Sequence, residues 1–182
     1  LISAMRGYSR FPFQAFSAEA KRRTLTLPEF SVLVPMQPPT LDKEQQALLR
    51  EVFCGKDELR PGVVERFRAA GQSIVPHLLD ILDDPDLIKL NAPGRGWAPG
   101  HAAFLLGELG ASETVEHLIT AVVRTPPDSH LAEEAAAALI KLGSASLPAI
   151  EEFVRWSENQ EAKNRLDHIA KEIRHRKKGM TT

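Results

Sequence analysis

The sequence predicts an all-α chain built from stacked helix pairs behind an irregular N-terminal arm. Three observations carry that reading. AAFLLGELG (Ala102–Gly110) and AAALIKLG (Ala136–Gly143) each close an alanine-rich apolar stretch, and a second apolar stretch follows each. A more divergent copy ends at Gly71, so Gly71, Gly110 and Gly143 stand 39 and 33 residues apart, in or near the period of helix-pair repeats. Counting back from these glycines, Val63, Ala102 and Ala135 share one column. Phe67, Leu106 and Leu139 fall four residues later, and Ala70, Leu109 and Leu142 three after that. That i, i+4, i+7 spacing is one face of a helix.

Residues 1–40 read as an arm. Five of the 13 prolines lie there, and QPPT (Gln37–Thr40) suits neither a helix nor a central strand. Four of the eight phenylalanines lie there too, including Phe11, Phe13 and Phe16. Solvated tails are poor in aromatics, so the arm is expected to dock on its own repeats or on a partner. Residues 41–55 form a capping helix, with Thr40 as the N-cap, Leu48, Leu49, Val52 and Phe53 on the apolar side, and Gly55 as the stop.

Residues 56–173 hold the repeats. The first helix of the first unit is expected over Leu59–Ala70, with Pro61 in its first turn. Gly71, Gly110 and Gly143 end the first helices, where a left-handed cap suits glycine. With one extra residue allowed after Gly110, the second helices align as well. Leu78, Leu118 and Ile150 form one column, and Leu82, Val122 and Val154 another. Pro76 and Pro148 sit at the start of theirs. A last helix with Ala162, Leu166 and Ile169 runs to about Ile173 and turns polar, as an end cap should. Residues 174–182 are a basic tail.

Composition narrows the function. No apolar run approaches the roughly 20 residues of a membrane span. The single cysteine, Cys54, allows neither an intrachain disulfide nor a paired-cysteine zinc site, and a reducing cytoplasm is the default location. Leu1 at the first position reads as a fragment or a processed chain, and residues 1–18, with Arg6, Arg10 and no acid, carry a faint transit-peptide pattern. The net charge of −1 hides an asymmetry. Residues 1–40 hold five Lys/Arg and two Asp/Glu, residues 56–154 hold eight and fifteen, and residues 155–182 hold eight and four. An acidic body opposes wrapping of nucleic acid. Only Lys21–Arg23 (KRR) and Arg174–Lys178 (RHRKK) are basic runs.

AAFLLGELG, AAALIKLG and SIVPHLLDILDDPD (Ser73–Asp86) resemble HEAT-like repeats, especially the bacterial type named after phycobilisome lyase subunits, over roughly residues 56–173. The resemblance implies a short right-handed α-solenoid. It names no activity: such proteins include chromophore lyases, regulatory subunits and scaffolds, and a related helical-repeat group repairs alkylated DNA. It also implies that the second helices line the concave side.

Candidate residues follow from that face. One exposed column is expected to hold His77, His117 and Ala149, the next Asp80, Thr120 and Glu152, and a third Asp84, Arg124 and Trp156, in rows about 10 Å apart. The loop LNAPGRGWAPG (Leu90–Gly100) lacks the context of either glycine-rich phosphate motif. Trp97 is expected to pack back onto the repeat joint, while Arg95, with Trp97 and His101, forms an alternative binding loop. The pairs His77/Asp80, His130/Glu133 and His130/Glu134 have helical spacing but lack zinc-site spacing, and adjacent acids such as Asp83/Asp84 diverge by about 100°. No catalytic motif, metal or cofactor is expected. The sequence favours a non-enzymatic interaction module for another protein or peptide, anchored by Trp156, Arg124 and His117. The alternatives are a lyase or accessory subunit acting on a protein-bound cofactor, and a nucleic-acid-binding repeat protein.

Overall fold

The first helix begins where a carboxylate and an amide cap each other. In the computed structural model, which describes residues 41–54 and 58–179 with side chains to Lys177, Asp42 accepts a 2.7 Å bond from the Gln45 amide. The Gln45 side chain in turn accepts from the Asp42 N–H at 3.2 Å. This capping box starts α1 at Lys43–Val52. The cap is therefore Asp42, not Thr40, because only Asp42 has a glutamine three residues on. The arm with its phenylalanine cluster, the Lys21–Arg23 run, Thr40 and the Gly55 stop lie outside the described residues.

The first repeat helix is shorter than expected: α2 spans Val63–Ala70. Gly62 stands immediately before it at φ 80°, a left-handed conformation that no helix can pass through. Pro61 thus lies ahead of the helix rather than inside it.

From there a three-part unit recurs. α2 is followed by a 3-10 turn, Gly71–Ile74, and then α3, Val75–Asp83. α4 (Ala98–Glu108) is followed by the turn Ser112–Thr114 and α5 (Val115–Arg124). α6 (His130–Leu142) is followed by the turn Gly143–Ala145 and α7 (Leu147–Trp156). The glycines at the joints have φ of 64°, 65° and 65° at Gly71, Gly110 and Gly143. A Cβ on any of them would touch nothing, so the backbone alone demands glycine there. Pro76 and Pro148 lie in the first turns of α3 and α7.

Three of the aligned columns are buried throughout, while Ala70, Leu109 and Leu142 are all half-buried. Val63, Ala102 and Ala135 are buried, and Phe67, Leu106 and Leu139 are fully so. Each such large side chain contributes about 1.5–3 kcal/mol of apolar transfer. Leu78, Leu118 and Ile150 do the same for the second helices. A further column is polar in two units: Ile74, Thr114 and Ser146 are all buried. Thr114 donates to the Ala111 carbonyl at 2.7 Å and Ser146 to the Leu139 carbonyl at 2.9 Å, so neither hydroxyl is left unsatisfied.

Among the described residues the chain is all helix and turn. α2, α4, α6 and the last helix, α8 (Gln160–Gly179), each pack on the next, as do α3, α5 and α7. The helices therefore form two layers, one of first helices and one of second helices, with the core between them. Small residues let the first layer close up: a Cβ on Gly107 of α4 would stand 2.9 Å from Cα and Cβ of Ala138 on α6.

The last helix corrects an expectation. α8 buries Ala162, Leu166, Ile169, Ala170 and Ile173, but it does not stop near Ile173. With Ala170 in place of a repeat glycine, nothing interrupts it, and residues 174–179 are helical rather than a tail. Arg174, Arg176 and Lys177 near its C-terminus suit the negative end of the helix dipole.

Candidate functional site

The second helices turn one stripe outward, because their apolar columns are consumed by the core. Pro76, Asp80, Glu116, Arg124, Pro148, Glu152 and Trp156 are exposed on α3, α5 and α7, while His77, Asp84, Thr120 and Ala149 are half-buried. Asp80 and Glu152 are thus exposed on the expected stripe, whereas Thr120 is half-buried. Thr120 bonds its own helix, donating to the Glu116 carbonyl at 2.9 Å.

His117 and Arg124 are engaged within the fold. The carboxylate of Asp83, at the end of α3, accepts a hydrogen bond from His117 Nδ1 at 2.6 Å. That bond places the proton on Nδ1 and, reinforced by the Asp83 charge against partial desolvation, raises the imidazole above its ordinary range. Arg124 donates to the Asp83 carbonyl at 3.3 Å and to the Leu82 carbonyl. These oxygens belong to the last turn of α3, whose C-terminus has no intrahelical partners. These two side chains of α5 therefore hold the neighbouring helix end. His117 meets Asp83 rather than a residue at the level of His77, six positions earlier on α3 and about 9 Å away along the axis. Asp83, absent from the expected columns, is the residue that organises this junction. His77 Nδ1 lies 4.0 Å from Asp80, and its Nε2 is buried without a hydrogen-bond partner.

Trp156 ends the stripe. It is 63% exposed on the last turn of α7, one helical turn beyond Glu152. The only other large apolar side chains so exposed among the described residues are Ile88 and Leu90.

Those two belong to the loop after α3, which runs as a chain of turns from Asp84 to Trp97. Helix α4 begins at Ala98, with Pro99 in its first turn. Gly94, Arg95 and Gly96 have φ of 79°, 53° and 87°. A Cβ on Gly96 would stand 2.9 Å from the Ile88 carbonyl oxygen, so this close fold needs glycine. Arg95 is the one non-glycine residue with positive φ among the described residues, and it points to solvent. Of the three expected loop residues, Arg95 stands apart in solvent, while Trp97 and His101 both lie against the His130 ring. Trp97 is half-buried, its ring set edge-on to His130 with centroids 4.6 Å apart. His101 is 2% exposed and donates from Nδ1 to the Val52 carbonyl at 2.8 Å, tying α4 to the end of α1.

His130, beside both Trp97 and His101, was not singled out by the sequence as a site. Its ring lies over Gly100, where a Cβ would come within 2.3 Å of it. One turn on, Glu134 is pushed above the usual carboxylate range by burial. A second interior feature links three first helices: Glu108 of α4 accepts from both Arg68 of α2 and Lys141 of α6. Burial alone would raise Glu108, but the two donors hold it below its ordinary value. No group of three or more His, Cys, Asp or Glu among the described residues is placed to hold a metal ion. No described helix is long and apolar enough to cross a membrane. Comparison with protein-family models, curated proteins and solved structures gives no match for this chain.

Proposed function

We propose that the chain is a non-enzymatic protein-interaction module, a short right-handed α-solenoid of HEAT-like helix pairs that presents the outer stripe of α3, α5 and α7 to a segment of another protein. The recurring joint and the two helix layers support the solenoid reading, because each helix pair packs against the pair before and after it. The observation that carries the functional reading is Trp156. A large indole left 63% exposed at the end of the stripe contributes little to the fold, and tryptophan is a frequent interface anchor. His117 and Arg124, engaged with the end of α3, give way as anchors to Trp156 and Glu152.

Affinity capture from nuclease-treated lysate of the source cells tests this. The baits are the intact chain, a Trp156→Ala/Glu152→Lys variant and an Arg95→Glu variant, each checked for native helicity. The expected result is a protein retained by the intact chain and by Arg95→Glu but lost with Trp156→Ala/Glu152→Lys. Loss with Arg95→Glu alone would move the site to the loop. Retention by all three baits would remove the stripe from consideration.

A further inference from the structure

The two helix layers differ in charge, and the difference has a chemical consequence. Counting Asp84 with α3, the second helices hold six carboxylates (Asp80, Asp83, Asp84, Glu116, Glu151, Glu152) against Arg124 and Arg155, a formal −4 with histidines neutral. The first helices α2, α4 and α6 hold Glu65, Glu108, Glu133 and Glu134 against Arg66, Arg68 and Lys141, a formal −1.

Side-chain placement sharpens the contrast. Arg155 lines the groove between α7 and α8 with Asp167 and Arg174, and Glu151 pairs with Arg174 at 2.7 Å. Arg124 is turned to the carbonyls of α3, and Asp83 accepts from His117. The exposed carboxylates that remain on the outer stripe are Asp80, Glu116 and Glu152, one on each second helix, against the exposed guanidinium of Arg124. All three are exposed, and none is ion-paired to a lysine or arginine among the described residues. Trp156 follows Glu152 by four residues, on the same side of α7.

We propose that the occupant of this stripe is an extended peptide segment rich in lysine and arginine, with cations set against Asp80, Glu116 and Glu152 and one of them over the indole of Trp156. The inference rests on the stripe being a binding face. Charge complementarity selects the occupant: three carboxylates without a lysine or arginine partner repel an acidic segment or a nucleic-acid backbone and attract a basic one. Tryptophan is the best side-chain partner for a cation–π contact, and Glu152 one turn away can hold the same cation. Three helices side by side, each about 10 Å across, span about 20 Å. That distance is covered by about six extended residues.

The test is fluorescence anisotropy of the full chain with dye-labelled peptides of about ten residues, with equal apolar content and either basic, acidic or neutral polar positions. The expected result is saturable binding of the basic peptide alone, weakening as salt rises. Asp80→Asn/Glu116→Gln/Glu152→Gln should weaken it roughly ten-fold and Trp156→Ala roughly three- to five-fold. The control Glu65→Gln/Glu133→Gln/Glu161→Gln, which removes as much charge elsewhere, should leave it within about two-fold. Binding of the neutral or acidic peptide that is lost with Trp156→Ala would overturn the basic occupant while leaving the face intact. Equal weakening by both triple variants would reveal diffuse attraction and overturn the site. Failure of every peptide class to bind at low salt would overturn the occupant and the face together.

Discussion

His117 Nδ1 donates a 2.6 Å hydrogen bond to Asp83, and with it the second helix of one unit grips the end of the second helix before it. The bond raises the folded-state pKa of His117. A raised histidine contributes stability that is fully present below its unfolded value, about 6.5, and is lost as pH rises through the folded value. Both side chains are roughly two-fifths exposed, so the contribution is in the range of a surface pair. His117→Gln should therefore lower stability by about 0.5–1 kcal/mol at pH 5.5, with the deficit shrinking by pH 9. Denaturant melts of both proteins across that range check it, and a deficit that grows with pH would refute the pairing.

Arg124 makes a related but pH-independent prediction. Its guanidinium caps carbonyls at the end of α3, so Arg124→Gln should cost about 0.5–1.5 kcal/mol of stability and leave peptide affinity nearly unchanged. If affinity falls several-fold while the melt is unmoved, Arg124 belongs to the binding stripe after all.

The repeat columns were legible because burial imposes a strict spacing: Phe67, Leu106 and Leu139 read the same from the sequence and in the fold. The joint glycines were legible because a positive φ leaves few alternatives. Individual polar partners were not. Whether His117 faces solvent or Asp83 depends on how far α5 slides along α3, which the repeat spacing does not encode. Asp42 displaced Thr40 as a cap through a reciprocal bond with Gln45, and Gly62 shortened α2, both local signals present in the sequence but outweighed by the apolar pattern. Trp97 is half-buried against His130, a partner that its loop sequence does not name.

Glu108 joins α2, α4 and α6 through Arg68 and Lys141. Its side chain is 10% exposed, whereas both cations are about half exposed. Its lowered pKa means that its contribution is present above the unfolded carboxylate value, near 4.3, and is lost as pH falls through the folded value. Glu108→Gln should cost about 1 kcal/mol at pH 7, with the gap to the parent narrowing toward pH 3. A constant gap over that range would show that size and packing, not charge, set the effect.

Gly107 of α4 faces Ala138 of α6, whose Cα and Cβ would stand 2.9 Å from an added Cβ. Glycine inside a helix costs about 0.5–1 kcal/mol relative to alanine, so Gly107→Ala would stabilise an isolated helix. In this fold the added methyl must push two backbones apart, and overpacking of that kind costs about 1–3 kcal/mol. The net expectation is a loss of about 1–2 kcal/mol. Adding Ala138→Gly should recover part of it, so that Ala138→Gly costs less in the Gly107→Ala background than alone. Additive costs in the double-mutant cycle would mean that the two residues do not meet.

The two tryptophans separate fold from function. Trp97 is half-buried against His130, so Trp97→Ala removes packing and an aromatic contact and should cost about 2 kcal/mol or more. Trp156 is 63% exposed, and Trp156→Ala should change stability by no more than about 0.5 kcal/mol. The same substitution should weaken peptide binding, whereas any loss of binding in Trp97→Ala should track the fraction unfolded. Fluorescence of the single-tryptophan variants supplies the second readout. Emission from the variant that keeps only Trp156 should be red-shifted and freely quenched by iodide, and the basic peptide should protect it. An indole that is already blue-shifted and shielded in the free chain would mean that Trp156 is covered before any partner arrives, and the stripe would then lose its anchor.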